Sequence, residues 1–253
     1  MEEDVLSVQM GQLDSNGVSD NLDDTDIDMG LARFERLMQR RPFLLNDVLL
    51  RQNPHSVEEW SNRVRLWKDM ENMEKIVETF TTALKTISPK KAVGNLPSLW
   101  TDFAAFYLDN GDIERARQVF EKSVKFPFSL ADDLVSVWCS YAEMEVNASE
   151  PDRALAILNR AVAPPKGSFA FLSGIRYTDD TREPHLRLFK SLKLWSFLVD
   201  LEESVGTVES TKAVYDRIIE LKIATPQVIV NYATFLEENE YFEEVCFGEL
   251  RFF

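Results

Sequence analysis

The stretch DDTDIDMG, residues 23–30, carries carboxylates at the spacing of a calcium-binding loop. Counted from Asp24, acidic side chains fall at loop positions 1, 3 and 5, and Glu35 falls at position 12. An EF-hand loop needs glycine at position 6 for its sharp turn, where this chain has Met29 and places Gly30 one residue late. The misplaced glycine favours a solvated acidic linker over a calcium site.

The other residues able to do chemistry form no catalytic or metal-binding pattern. The two histidines, His55 and His185, each follow a proline, where loops are expected. The two cysteines, Cys139 and Cys246, lie far apart and have no histidine at ligand spacing. We therefore predict no catalytic, cofactor-binding or metal-binding residue, no disulfide, and a reducing cytosolic or nuclear compartment.

An aromatic cluster, Trp100, Phe103, Phe106 and Tyr107, could line a pocket for a base or a methylated cation. Trp100, Phe103 and Tyr107 share one helical face, and related residues recur elsewhere in the chain. Recurrence at helical spacing is typical of a packed core, so core packing is the preferred interpretation. Phe106 points away from that face and is expected to contact the next repeat.

Length and charge narrow the classes of function. The 253 residues include 45% hydrophobic and 28% charged residues, which are globular values, and few glycines and prolines, which favours helices. Of the net charge of −15, the first thirty residues contribute nine acids and no base, leaving about −6 for the rest. Without a basic surplus, broad electrostatic binding to RNA or DNA is disfavoured. The sequence shows no membrane-spanning run and no signal peptide.

Counting from four tryptophans shows a repeat with one apolar register. Positions 0, +3, +4 and +7 lie on one face of a first helix, and +16, +20 and +23 on one face of a second. Such a helix pair buries its apolar face only against stacked neighbours, which predicts an all-α solenoid of antiparallel pairs. The structural positions, 0 and +20 in each repeat, are Trp60, Phe80, Trp100, Phe120, Trp138, Leu158, Trp195 and Tyr215.

These counts give a domain organisation. Residues 1–30 are predicted to be a disordered acidic segment, followed by a lead-in helix at about 31–40 and a solenoid over 31–253. The repeats are placed near 60–87, 99–125, 137–163 and 194–222, with a partial fifth at 228–253. An insertion at 163–190 breaks the helical pattern. Its Phe169, Phe171 and Tyr177 are the candidate partner-contacting residues.

The helix pairs resemble a known family. The segments LW…FAAFY…ARQVFEKSV and LWSFLVDLEE…AVYDRII resemble the HAT (half-a-tetratricopeptide) repeat, including its Ala-Arg and aromatic-Glu-Arg signature at Ala116-Arg117 and Phe120-Glu121-Lys122. The stretches LARFERLMQRRPFLLNDVLLRQNPHSVEEW and SLKLWSFLVDLEESVGTVESTKAVYDRIIELKIATPQVIVNYATFLEENEYFEE are similar to the middle of Syf-type pre-mRNA-splicing factors, called XPA-binding proteins in animals. The likeness covers about residues 25–244, and the last residues, VCFGELRFF, depart from it.

The resemblance implies a non-enzymatic, nuclear scaffold of the spliceosome, associated with proteins of the Prp-nineteen complex, and a link in animals to transcription-coupled DNA repair. It implies no small-molecule substrate, no cofactor and no membrane. Family members are much longer and have more repeats, so this chain resembles an internal piece. The alternative function is an RNA-contacting helical-repeat protein of another RNA-processing complex, which would show a basic stripe on one face.

Overall fold

The computed structural model describes residues 24–165 and 174–241. Within these ranges the chain forms eleven α-helices and one short 3-10 helix (Leu188–Lys190), with no β-strand. The all-α fold predicted from the sequence is confirmed. The α-helices are α1 (Asp24–Gln52), α2 (Val57–Asp69), α3 (Met73–Thr86), α4 (Leu96–Asp109), α5 (Ile113–Ser123), α6 (Ala131–Asn147), α7 (Pro151–Ala161), α8 (Pro184–Arg187), α9 (Leu192–Val205), α10 (Val208–Glu220) and α11 (Pro226–Glu238).

The chain divides into two compact bodies, residues 1–45 and 46–253. The described part of the first body is helical from Asp24 to its end, and its apolar side chains, such as Phe34 and Leu37, are exposed. Helix α1 includes residues 24–30, the end of the predicted acidic segment, and continues through residues 31–40, where the lead-in helix was predicted.

In the second body, four helix pairs follow one another: α2–α3, α4–α5, α6–α7 and α9–α10, here called repeats 1 to 4. Helix α11 is the first helix of repeat 5, and the residues after 241 lie outside the described part of the chain. Each pair packs internally, and each repeat also contacts the next, so that the buried apolar residues form one core. The last turns of α1 pack on α2, where Asn46 Nδ2 donates to the Glu59 carbonyl at 2.8 Å and Asp47 pairs with Arg63.

Local capping explains where these helices begin. Asn72 and Asp112 accept a hydrogen bond at 3.0 Å from the amide three residues on, at the starts of α3 and α5. Thr207 and Ser210 form a reciprocal capping box at the start of α10. Prolines occupy the first turns of α4, α7, α8 and α11, where a missing N–H costs nothing.

The turn inside the repeats has a recurring left-handed residue at position +11, counted from the tryptophan. Glu71, Gly111, Ser149 and Glu240 have φ of 54°, 75°, 61° and 68° in repeats 1, 2, 3 and 5. In each, the +11 amide donates to the +8 carbonyl and the next amide to the +7 carbonyl, as in a Schellman helix end. In repeat 4, Gly206 has φ of −77° and the capping box replaces this turn. Only one of the four left-handed residues is glycine.

Candidate protein-interaction surface

The four tryptophans at position 0 are all buried. The indole N–H of Trp60 donates to the Pro54 carbonyl at 3.0 Å, and that of Trp195 to the Phe189 carbonyl at 2.7 Å, each six residues upstream. The indole nitrogens of Trp100 and Trp138 are buried without an acceptor among the described residues. The tryptophans are therefore core residues, and two of them also fix the chain that leads into their helix.

The residues at position +20 join one repeat to the next. The ring of Phe80 stacks on Phe103, with centroids 4.7 Å apart and planes at 20°, and Phe120 stacks on Tyr141 at 5.0 Å and 5°. Tyr215 stacks on Tyr232 at 4.6 Å and 14°. In each pair the second ring is at position +3 of the following repeat.

The same register holds between repeats 3 and 4, with aliphatic residues. Position +20 is Leu158 and position +3 of the following repeat is Leu198; both are fully buried, and α7 packs on α9. The eight structural positions predicted from the sequence are all buried, as tryptophans of the intra-repeat core or as residues at a repeat boundary.

A buried ion pair joins repeats 2 and 3. Arg117 donates from Nε and Nη2 to the two carboxylate oxygens of Glu145 at 2.8 and 2.7 Å, and Glu145 is only 1% exposed. A second carboxylate, Glu114, accepts from Arg117 Nη1 at 2.6 Å, but it is 71% exposed. The hydrogen bond to Glu145 is the first cause of the raised pKa of Arg117, so the guanidinium stays charged.

Glu121, at position +21 of repeat 2, accepts hydrogen bonds from two residues of repeat 3. It accepts from the Tyr141 hydroxyl at 3.2 Å and from Arg160 Nη2 at 2.6 Å. Burial, followed by the charge of Glu121, raises the pKa of Tyr141 to about 12. Asp216, at +21 of repeat 4, accepts in the same way from the Tyr232 hydroxyl at 3.0 Å.

The described part of the insertion, residues 174–190, is folded onto the repeats. Arg187 is buried and its Nη1 donates to the Tyr177 carbonyl at 2.8 Å and to Asp180 at 2.7 Å. The Tyr177 hydroxyl donates to Asp132, and its half-buried ring packs against the core. Tyr177 therefore anchors the insertion. Phe169 and Phe171 lie outside the described residues.

The histidines and the described cysteine have structural surroundings. His55 Nδ1 lies 3.3 Å from the Ser88 amide, and His185 Nε2 lies 3.0 Å from the Val124 carbonyl, so each histidine holds a loop. Burial raises the pKa of the Cys139 thiol, which keeps it protonated at neutral pH. Among the described residues, no three His, Cys, Asp or Glu side chains come together as a metal site, and no helix could span a bilayer.

A groove with a cavity volume of about 490 Å³ lies between α3 and α5, above the aromatic side chains of α4. Its lining includes three basic side chains and no carboxylate, although the chain as a whole is strongly acidic. We call it the α3–α5 groove. The lining residues that matter below are Val77, Thr81 and Lys85 from α3, Trp100 and Tyr107 from α4, and Lys122 from α5.

The groove adjoins a second cavity, whose charged side chains are mainly acidic rather than basic. This adjoining cavity of about 630 Å³ shares Val77, Tyr107 and Arg115 with the groove and adds three carboxylates near the starts of α3 and α5, those of Glu74, Glu78 and Asp112. Arg115, at the junction, pairs with Asp112 at 3.2 Å. Phe106 lines this second cavity beside residues of α3 and so faces repeat 1, the preceding repeat, whereas the sequence predicted a contact with the next one.

Comparison with known families gives two matches that together cover nearly the whole chain. Residues 89–248 match the Syf1/CRNKL1 C-terminal HAT repeat of pre-mRNA-splicing factors, and residues 1–87 match the middle HAT repeat of SYF1. The chain belongs to the Syf1 family of HAT-repeat pre-mRNA-splicing factors. The resemblance inferred from the sequence is confirmed.

Individual members of the Syf1 family are close in sequence. A pre-mRNA-splicing factor syf1 homolog of Drosophila melanogaster is 49% identical over 96% of this chain, and human SYF1 is 48% identical over the same share. The Schizosaccharomyces pombe splicing factor cwf3 is 45% identical over 88%. In each case the match covers 27% of the relative, so the chain spans about a quarter of the length of these proteins.

A solved structure from work on Pseudomonas aeruginosa pilF covers 90% of the chain and 89% of its own, at 12% identity and a TM-score of 0.39. That similarity is too low to carry a structural argument.

Proposed function

We propose that this chain is a non-enzymatic scaffold segment that holds spliceosomal proteins together during pre-mRNA splicing in the nucleus. The observation that carries the proposal is membership of the Syf1 family of splicing factors across both family matches. The helix pairs support it, because stacked repeats present a long surface of exposed residues between buried ones. The described cysteine and histidines have structural surroundings, and none of them suggests a catalytic group.

The finer parts of the proposal come from the resemblance. The partners are proteins of the Prp-nineteen complex type, and an animal version would also take part in transcription-coupled DNA repair. The insertion is proposed as one contact region, through Phe169 and Phe171, with Tyr177 holding it in place. Direct RNA contact is a lesser contribution, because the chain is net acidic, although the α3–α5 groove is locally basic.

The test is affinity purification of the tagged chain from nuclear extract, followed by mass spectrometry. We expect enrichment of splicing proteins, including those of the Prp-nineteen complex, over a tagged helical-repeat protein of similar charge. Equal recovery with that control would contradict the scaffold function.

The insertion is tested separately with the Phe169→Ala/Phe171→Ala variant. We expect it to keep the helical circular dichroism and lose part of the recovered set. Tyr177→Phe removes the hydroxyl hydrogen bond to Asp132 that anchors the insertion, and should also lower the recovery. Unchanged recovery with the double variant would remove the insertion from the contact surface.

A further inference from the structure

The α3–α5 groove and the next boundary along the chain differ at one pair of equivalent positions. Between repeats 2 and 3, the basic residue at +22, Arg160, is neutralised by Glu121 at +21 of the preceding repeat, at 2.6 Å. Between repeats 1 and 2, the basic residue at +22 is Lys122, and position +21 of the preceding repeat is Thr81. Both line the groove, where no carboxylate lies beside Lys122 among the lining residues.

A second pair of equivalent positions explains why this groove is open. Between repeats 2 and 3, Arg117 at +17 and Glu145 at +7 form a bidentate ion pair that bridges the two repeats. The corresponding residues between repeats 1 and 2 are Val77 and Tyr107, which line the groove as apolar side chains. Ion pairs thus bridge the boundary between repeats 2 and 3, whereas the boundary between repeats 1 and 2 is a cleft with apolar and positively charged side chains.

We propose that the α3–α5 groove binds an acidic peptide segment of a partner protein, with one carboxylate beside Lys122 in the place that Glu121 takes beside Arg160. Lys85, exposed in the last turn of α3, attracts a second acidic side chain of the same peptide. An apolar side chain of the peptide lies against the half-buried Val77 and Tyr107. This inference rests on the proposed protein-assembly function and specifies one contact within it.

A peptide fits this groove better than a nucleic acid does. The ring of Phe103 is already stacked on Phe80, and Trp100 packs edge-on against Phe126 at 5.5 Å, so these faces are not free to stack with bases. The carboxylate of Glu74 at the adjoining cavity would repel a continuous phosphate backbone, whereas that of Glu78 is paired with Lys75 at 2.6 Å. An acidic peptide can end, or change charge, before it reaches the acidic side chains of the adjoining cavity. Repulsion by those side chains directs the acidic part of the peptide to the end of the groove at Lys122.

A single substitution can supply the missing carboxylate from the chain itself. Thr81→Glu places a carboxylate of the chain itself at +21, where it neutralises Lys122 as Glu121 neutralises Arg160. Thr82→Glu is the matched control, because it adds the same charge to the same helix. Thr82 is exposed and does not line the groove. Lys122→Glu reverses the basic residue directly. Thermal unfolding checks that all three variants retain the fold.

A display library of random peptides is selected on the full chain, with Thr81→Glu for counter-selection, and enriched peptides are measured by fluorescence anisotropy. We expect them to combine Asp or Glu with Leu or an aromatic residue. Their affinity should fall about tenfold with Thr81→Glu and with Lys122→Glu, and change less than about twofold with Thr82→Glu. A higher salt concentration should weaken the binding, since the charged groups are exposed.

Three results would overturn the inference. The first is enrichment of peptides that are not acidic; the second is equal weakening by Thr81→Glu and Thr82→Glu. The third is binding of an oligouridylate that Thr81→Glu weakens and Thr82→Glu does not, which would assign the groove to nucleic acid. Failure of the wild-type chain to recover splicing proteins from nuclear extract would instead contradict the scaffold function, so the two failures are distinguishable.

Discussion

Replacing Arg117 by methionine should test whether burial, rather than distance, decides what an ion pair contributes between repeats. Arg117 has two carboxylate partners at nearly equal distances, Glu145 at 2.7 Å and Glu114 at 2.6 Å, with exposures of 1% and 71%. Removing the arginine leaves Glu145 buried without a cation, and breaking a buried pair in this way costs about 3–5 kcal/mol. Removing Glu114 breaks an exposed pair and costs less than about 1 kcal/mol.

The assay is urea unfolding of the full chain at neutral pH, followed by circular dichroism, with four proteins compared. We expect Arg117→Met to lower the free energy of unfolding by about 3–5 kcal/mol and Glu114→Gln by less than about 1 kcal/mol. The double variant Arg117→Met/Glu145→Met removes both charges and should recover most of the loss, because apolar residues of similar volume replace such pairs well. If the double variant were as unstable as Arg117→Met alone, the unpaired carboxylate would not be the cause, and the reasoning would fail.

Four further changes, three substitutions and a rise in pH, should alter stability, each measured by urea unfolding. Phe120→Ala should cost about 3–5 kcal/mol, since it removes the ring stacked on Tyr141; a cost under about 1 kcal/mol would exclude the stack as a major contact. Glu71→Gly should stabilise by up to about 1 kcal/mol and Gly111→Ala should destabilise by a similar amount, because both positions are left-handed; opposite signs would contradict this. The Tyr141 pKa of about 12 lies above its usual value of about 10, so the stability that it contributes is complete below about pH 10 and falls by about 1.4 kcal/mol per pH unit up to 12; a flat profile there would refute the shift.

The helix pairs and the buried positions were predictable because burial requires apolar residues at the helical period. Trp100 and Phe120 stand at matching places in a repeat and are both buried. The sequence also contains a signal for the boundaries between repeats. An aromatic residue at +20 is followed by an aromatic residue at +3 of the next repeat, whereas Leu158 is followed by Leu198. Same-class pairs at a fixed offset indicate contact.

Other features could not be predicted from the sequence, because they depend on how the repeats pack on one another or on backbone geometry that the side chains do not specify. Helix α1 continues through Pro42 because its last turns, with Asn46 and Leu50 buried, pack on α2, and that tertiary contact overrides a local helix breaker. Glu71 and Ser149 take left-handed turns without being glycine, since the two hydrogen bonds of the Schellman turn compensate. Lys122 becomes significant only once Thr81 is known to share its groove.

The pairing of Arg117 with Glu145 also makes the order of the repeats non-interchangeable. Repeat 3 buries the carboxylate of Glu145 where it meets repeat 2, and repeat 2 supplies at position +17 the cation that pairs with it. Position +17 is Val77, Arg117, Leu155 and Lys212 in the four complete repeats, and Arg117 pairs with the buried Glu145 of the following repeat. Deleting repeat 2 would set Glu145 against Val77 and bury an unpaired charge. Loss of repeat 2, or its exchange with another repeat, would therefore cost the array folding free energy at this boundary.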